Sequence, residues 1–186
     1  MGLADELVQL IKVCSQMRLQ SHIEKPNCNV DILDQVEADA GLGVWLSSIS
    51  INRPNLRIIL NVSYNLDGIK SFVANNVAHY LGVESDETGF DFMNEFCNIV
   101  AGLIQKQLSE NGISSRVGIP MISRGYDDYY LMREEASKEA EWFLAFEDQY
   151  LHVKAYLTYS EDPELMAFKY NKFTESTQEV DDIFEF

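Results

Sequence analysis

Two closely spaced pairs of strand-like runs constrain the fold of this chain more than any other feature. The first pair covers residues 41–51 and 55–64, and the turn sequence 52–54 separates its two members. The second pair covers residues 140–147 and 150–159, in which apolar and polar residues alternate. Because strands joined by short turns pair in antiparallel fashion, the sequence predicts a mainly antiparallel sheet.

Helical patterns surround these runs. Apolar residues recur at spacings of three and four in residues 4–20, 65–81 and 87–111. The predicted fold class is therefore α+β, with helices packed on one face of the sheet. We expect one domain over residues 1–160. Residues 161–186 form an acidic tail without a sustained period, and we expect a mobile extension there.

The charge of the chain limits its partners. It has 14 Lys and Arg against 30 Asp and Glu, which gives a formal net charge of 14 − 30 = −16. Proteins that bind nucleic acids or anionic membrane surfaces are basic, so both classes of partner are excluded. An acidic protein favours partners that present Lys or Arg.

The three cysteines and three histidines are scattered, and no CxxC pair occurs, which argues against a metal site. Cys14 and Cys97 lie in apolar helical patterns, which indicates buried free thiols and a reducing compartment. The acidic N-terminus is not that of a signal peptide, and no apolar run is long enough to span a membrane. We therefore expect a soluble, cytoplasmic protein.

Residues 91–109 are the most informative segment. On a helix of about 100° per residue, one broad face is apolar and the opposite face is a narrow polar strip. The apolar face consists of Phe92, Met93, Phe96, Cys97, Ile99, Val100, Leu103, Ile104 and Leu108. The polar strip consists of Asp91, Asn94, Glu95, Asn98, Gly102, Gln105 and Ser109.

Periodicity alone leaves two interpretations of the polar strip. It is either a solvated helix face or a functional surface. Glu95 and Asn98 lie three residues apart, so their side chains are neighbours on the helix. Gly102 follows one turn later, and a glycine in a helix interior costs about 1 kcal/mol relative to alanine. Close approach of another backbone is one explanation for that cost.

The spacing of these residues favours the functional interpretation. Asp91, Glu95 and Asn98 form an acid-x3-E-x2-N pattern, and Pro120 follows Asn98 by 22 positions on an extended segment. This pattern resembles the signature of the CheC/CheX family of chemotaxis phosphatases. The resemblance covers residues 88–125, and the order of strands and helices extends it loosely over residues 40–159. The chain contains one copy of this motif, and in this it is more similar to the CheX branch than to the two-motif CheC branch.

The resemblance implies a fold, a reaction and a set of roles. The fold would be CheC/CheX-like, and the substrate would be the phospho-aspartate of a CheY-like response regulator. Glu95 would pair with a lysine of that receiver, and Asn98 would orient the attacking water. Asp91, Gly102 and Pro120 would support the motif. The chain would need no cofactor of its own, because the receiver brings its Mg²⁺. CheX-like members pair through sheet edges, so we expect a homodimer.

The end of the tail contains a second candidate segment. Val180, Asp181, Asp182, Ile183 and Phe184 place an acidic pair between apolar residues. This arrangement resembles the C-terminal receiver-binding peptide of another chemotaxis phosphatase, CheZ, and implies a docking segment for the partner. The alternative is an acidic, disordered tail that keeps the protein soluble.

Three functional interpretations therefore remain open at the level of the sequence. The first is a phosphatase that acts on a phosphorylated receiver. The second is a non-catalytic module that binds response regulators or flagellar-switch components. The third is a structural protein in which the motif spacing is accidental.

Overall fold

A computed structural model describes residues 2–23, 29–36, 43–77, 80–124 and 136–170. Its helices are α1 (Leu3–Ser21), α2 (Leu66–Asn76), α3 (Asp86–Glu110) and the short α4 (Pro163–Met166). Its strands are β1 (Asp31–Leu33), β2 (Trp45–Arg53), β3 (Leu56–Tyr64), β4 (Arg116–Val117), β5 (Met121–Arg124), β6 (Lys138–Phe146) and β7 (Gln149–Tyr159).

The strands form one antiparallel sheet in the order β1-β6-β7-β3-β2. At the far edge β4 and β5 both pair with β2, one after the other along its length. The two predicted hairpins are β2–β3 and β6–β7, and β3 pairs with β7 to join them. The predicted antiparallel sheet is therefore confirmed. The three-residue β1 was not predicted, because so short a strand shows no alternation in the sequence.

The core lies between one face of the sheet and the helices. Alternate residues of the central strands, such as Ile58, Leu60 and Val62 of β3, belong to the buried apolar cluster. The same cluster contains Leu10 and Cys14 of α1 together with apolar residues of α2 and α3. Successive side chains of a strand point to opposite faces of the sheet, and those that contact the helices belong to one face. The helices therefore cover one face of the sheet, as predicted. None of the helices in the described ranges is long and apolar enough to span a bilayer.

The predicted end of the second helix is wrong. The sequence pattern predicts a helix to residue 81, whereas α2 ends at Asn76 and Val77 is already extended. The buried Asn76 amide donates to the Phe72 carbonyl at 2.9 Å, and such side-chain bonds compete with the helical backbone pattern. Gly82, with φ of 77°, donates its N–H to the Ala74 carbonyl, so the chain folds back onto the last turn of α2.

The first part of the predicted tail is packed on the domain. Leu165 of α4 and Phe168 are 0% and 1% exposed and belong to the core cluster. Asp162 caps α4 and lies 3.2 Å from the Arg53 guanidinium, and the Tyr170 N–H donates to Glu6. The expectation of a mobile extension is therefore wrong for residues 161–170. Residues 171–186, with the candidate docking segment 180–184, lie outside the described residues.

Candidate functional site

The site is built on α3, whose ends are fixed by local interactions. The Ser85 hydroxyl accepts from the Thr88 N–H at the start, and Thr88 accepts from the Ser85 N–H in return. Asn111 caps the end, and Gly112 follows with φ of 75°. Helix α3 thus covers Asp86–Glu110, within one residue of the predicted bounds at each end.

Aromatic packing sets the rotation of α3. Phe92 is fully buried, with its ring centroid 6.0 Å from that of Phe72 on α2 and 4.9 Å from that of His22 at the end of α1. The predicted apolar face is buried, apart from the partly buried Ile99. Because this face points into the core, the polar strip points outward, and Asp91, Glu95 and Asn98 are all exposed.

Asn98 is available to an external ligand. Its side chain is exposed and has no hydrogen-bond partner among the residues that the structure describes. A carboxamide offers both an acceptor oxygen and a donor nitrogen, so it can hold a water molecule through either group. The geometry therefore allows the water-orienting role that the resemblance implies for this residue.

Glu95 has an internal partner that sequence reasoning missed. Its Oε1 lies 3.0 Å from Nη2 of Arg18 on α1, in an ion pair with the Arg18 side chain 8% exposed and the Glu95 side chain 46% exposed. Its other oxygen, Oε2, accepts no hydrogen bond from the described residues. A signal for this pair exists in the sequence, because Arg18 follows Ile11 and Cys14 on the apolar face of α1. A charge placed on a buried face requires a partner.

Tyr80 is a second residue near the site that the sequence did not single out. Burial raises the pKa of Tyr80, and the negative charges of Glu95 and Asp91 raise it further. The phenol therefore lies close enough to both carboxylates to sense them. Tyr80 follows the end of α2, where the chain turns back.

Gly102 borders a groove of about 540 Å³ that is lined by α3 and by the segment after it. A methyl group built at Gly102 meets no heavy atom of the described residues within 4 Å. Gly89, on the same helix, differs, because a methyl group there would lie 2.8 Å from Leu66 Cδ1 of α2. Tight packing against α2 therefore explains a glycine at position 89. No such packing from the described residues explains the glycine at position 102.

Pro120 lies at the sheet edge and not on the α3 strip. It occupies the link between β4 and β5, where the Gly118 N–H donates to the Ser50 carbonyl at 2.7 Å. Its neighbours Ile119 and Met121 are 86% and 63% exposed. The Gln105 side chain donates to the Ser115 carbonyl at 2.8 Å and so ties the start of this segment to α3.

Comparison with solved structures identifies the fold. CheX from Vibrio vulnificus superposes with a TM-score of 0.60 at 12% sequence identity, covering 82% of this chain and 96% of that chain. A CheC-like superfamily protein from Shewanella sp. PV-4 gives a TM-score of 0.58 at 12% identity, covering 82% and 97%. The protein has the CheX-like fold. A third CheX-like structure is CheX of Borrelia burgdorferi in a CheX-CheY-BeF3-Mg²⁺ complex, with a TM-score of 0.57, 12% identity and coverage of 81% and 97%.

No protein-family model and no curated protein matches the sequence. The CheX-like fold, which the motif of α3 and the order of elements predict, is confirmed by the three-dimensional comparison. At 12% identity these comparisons show the fold alone.

The other reactive side chains of this CheX-like domain include two cysteines of the core. In the described ranges, no three His, Cys, Asp or Glu side chains lie together in a way that could hold a metal ion. Cys14 and Cys97 are buried free thiols, as predicted. Burial raises the pKa of Cys97 to about 12 and also raises that of Cys14, so neither is a thiolate near neutral pH.

Proposed function

We propose that this protein is a phosphatase that accelerates hydrolysis of the phospho-aspartate of a CheY-like receiver in the cytoplasm. Asn98 orients the attacking water, and Glu95 pairs with a lysine of the receiver. The observation that carries the proposal is the exposure of these two side chains next to each other on α3 of a CheX-like fold. That a CheX of this fold forms a complex with CheY supports the choice of partner.

The chemistry asks little of the protein beyond placement. An acyl phosphate is already reactive, and phosphoryl transfer depends mainly on in-line positioning of the nucleophile and on stabilisation of charge. The Asn98 amide, free of partners among the described residues, can hold a water in line with the phosphorus atom. The receiver supplies the Mg²⁺, so the phosphatase contributes orientation and not a metal.

Charge complementarity supports a protein substrate. The carboxylates of Asp91 and Glu95 are exposed on the same strip as Asn98. The chain as a whole carries a formal charge of −16, which attracts a partner that presents lysine and repels polyanions. A lysine of the receiver would therefore meet a local field that favours its approach to this strip.

The test is the decay of phosphorylated receivers in the presence of the protein. Wild type should accelerate the decay, and Asn98→Ala should leave it at the rate of the receiver alone. Ser109→Ala is the matched control, because Ser109 is an exposed polar residue of the same strip. Alanine favours the helix at both positions, so neither substitution should unfold the protein. Glu95→Ala should weaken both receiver binding and turnover.

One observation favours a second candidate, a non-catalytic receiver-binding module. Glu95 already has an ion pair with Arg18, so its charge is partly neutralised before any partner arrives. A binding module of this kind would bind a receiver without changing the rate at which its phospho-aspartate decays. Asn98→Ala would then have no effect on that rate. Binding and decay measured on the same receiver separate the two functions.

We also propose that residues 180–184 act as a docking segment for the same receiver. Nine residues lie between Tyr170, which is held against Glu6, and Val180, so the two are at most about 35 Å apart. A tethered segment raises the local concentration of the receiver near α3. Deletion of residues 174–186 should raise the half-saturating receiver concentration with little change in maximal rate. No change in either quantity would remove this role.

A homodimer through the sheet edge remains part of the proposal. Ile119 and Met121 are large apolar side chains that stand exposed at the β4–β5 edge. Exposed apolar residues on an edge strand favour pairing with a second chain. In sedimentation experiments wild type should be a dimer, and Met121→Lys should dimerise more weakly. A monomeric wild type would contradict the expectation.

A further inference from the structure

The Arg18–Glu95 ion pair joins α1 to the proposed site on α3. The two residues are 77 positions apart in the chain, and their Nη2 and Oε1 atoms are 3.0 Å apart. Only 8% of the Arg18 side chain is exposed, against 46% of that of Glu95. The pair thus has one member in the protein interior and one at the surface where the receiver would bind.

The guanidinium of Arg18 is held in place from several sides. Its Nη1 donates to the Ser21 hydroxyl at 3.3 Å, and that hydroxyl donates to the Arg18 carbonyl at 2.8 Å. One residue further on, the His22 ring packs on Phe92, one turn before Glu95 on α3. These contacts fix the end of α1 against α3, so the position of Nη2 is defined before any partner binds.

A carboxylate can serve two cations at once. It has two oxygens and about four acceptor directions, and Arg18 uses only Oε1. Fixing one oxygen removes rotamers of a long, half-exposed side chain, which lowers the entropy cost of a later ion pair. Arg18 has only 8% of its side chain exposed and is held in the interior, so it is not expected to swing aside for the receiver.

We propose that Arg18 is a positioning residue for the receiver. It holds Oε1 of Glu95 so that Oε2 is presented to the receiver's lysine. This inference rests on the proposed function, and it adds a residue of α1 to a motif that otherwise lies on α3 and the β4–β5 edge. The pair is therefore expected to act on receiver binding more than on the chemical step.

The test is a double-mutant cycle with Arg18→Met and Glu95→Gln. Methionine keeps much of the apolar stem and removes the charge. Decay is measured over a range of receiver concentrations, so that KM and kcat are obtained separately. In the wild-type background, Arg18→Met should raise KM about three- to tenfold with a smaller change in kcat. In the Glu95→Gln background it should change KM less than about twofold, because the group that it positions is already altered.

Arg18→Lys serves as the second variant and as the rescue. It keeps the charge but not the planar fork, so its KM should lie between those of wild type and Arg18→Met. Thermal unfolding of every variant is measured in parallel. If Arg18→Met does not fold, Arg18→Lys in the two backgrounds provides the same cycle with the same criterion.

The other outcomes overturn the inference. An equal rise in KM in both backgrounds would mean that Arg18 only supports the fold. A lower KM in Arg18→Met would mean that Arg18 competes with the receiver's lysine for Glu95. If wild type is active but the cycle shows no coupling between positions 18 and 95, the proposed function stands and Arg18 has no part in receiver binding. A wild type that accelerates the decay of no receiver would overturn both.

Discussion

Replacing Gly102 by alanine should move stability and function in opposite directions. Gly102 lies in the interior of α3, which covers Asp86–Glu110, and borders the groove on the outer side of the helix. A methyl group at this position meets no heavy atom of the described residues within 4 Å. The substitution therefore introduces no clash within that part of the chain and acts first through the backbone.

The magnitude follows from helix propensity. Glycine in a helix interior is about 1 kcal/mol less favourable than alanine, largely because the unfolded chain loses more conformational freedom. Gly102→Ala should therefore raise the free energy of unfolding by about 0.5–1 kcal/mol. For a chain of 186 residues this corresponds to a rise in Tm of about 1–4 °C. If the receiver packs its backbone against Gly102, the same methyl group should raise KM for the receiver.

Urea unfolding and receiver decay measure the two effects on the same protein samples. Gly89→Ala is the matched control, since a methyl group there would lie 2.8 Å from Leu66 Cδ1 and 3.2 Å from Lys70 Cγ. It should gain less stability than Gly102→Ala, because both neighbours must shift. A Gly102→Ala protein that is less stable than wild type would refute the description of this position as open. A stabilised variant with unchanged KM would place the receiver elsewhere.

Two further predictions concern His22 and the two cysteines of the core. Burial, together with the Arg18 charge, lowers the pKa of His22 from 6.5 to about 3, so between these pH values the unfolded state binds the proton and the native state does not. The free energy of unfolding should therefore fall as pH drops below 6.5, by up to about 1.4 kcal/mol per pH unit. His22→Gln should remove this part of the pH dependence, as measured by urea unfolding at pH 7 and at pH 5. Cys14 and Cys97 are fully buried with raised pKa values, so a thiol reagent should label them at the rate of unfolding, and rapid labelling of both in the native protein would contradict the core packing.

The sequence predicts those parts of the fold that have a long, regular period. The bounds of α3 were within one residue at each end, because a 25-residue helix with one apolar face has little competition from other structures. The hairpins were also found, since alternation and short turns identify them locally. The end of α2 was missed because the Asn76 side chain bonds the Phe72 carbonyl, an interaction that periodicity does not register.

The candidate site was predictable only along α3. The spacing of Glu95 and Asn98 determines that they are neighbours on one helix, whatever the rest of the fold. Their surroundings come from other elements, with Arg18 on α1 and Tyr80 after α2. Such contacts depend on how the helices pack on the sheet, and a single sequence does not encode that arrangement in any local pattern.

The measurement that tests the central claim most directly is the decay of a phosphorylated CheY-like receiver with wild type and with Asn98→Ala. The proposed mechanism predicts that wild type shortens the lifetime of the phospho-aspartate, while Asn98→Ala binds the receiver and leaves that lifetime unchanged. Equal acceleration by the two proteins would contradict the role of Asn98 as the residue that orients the water.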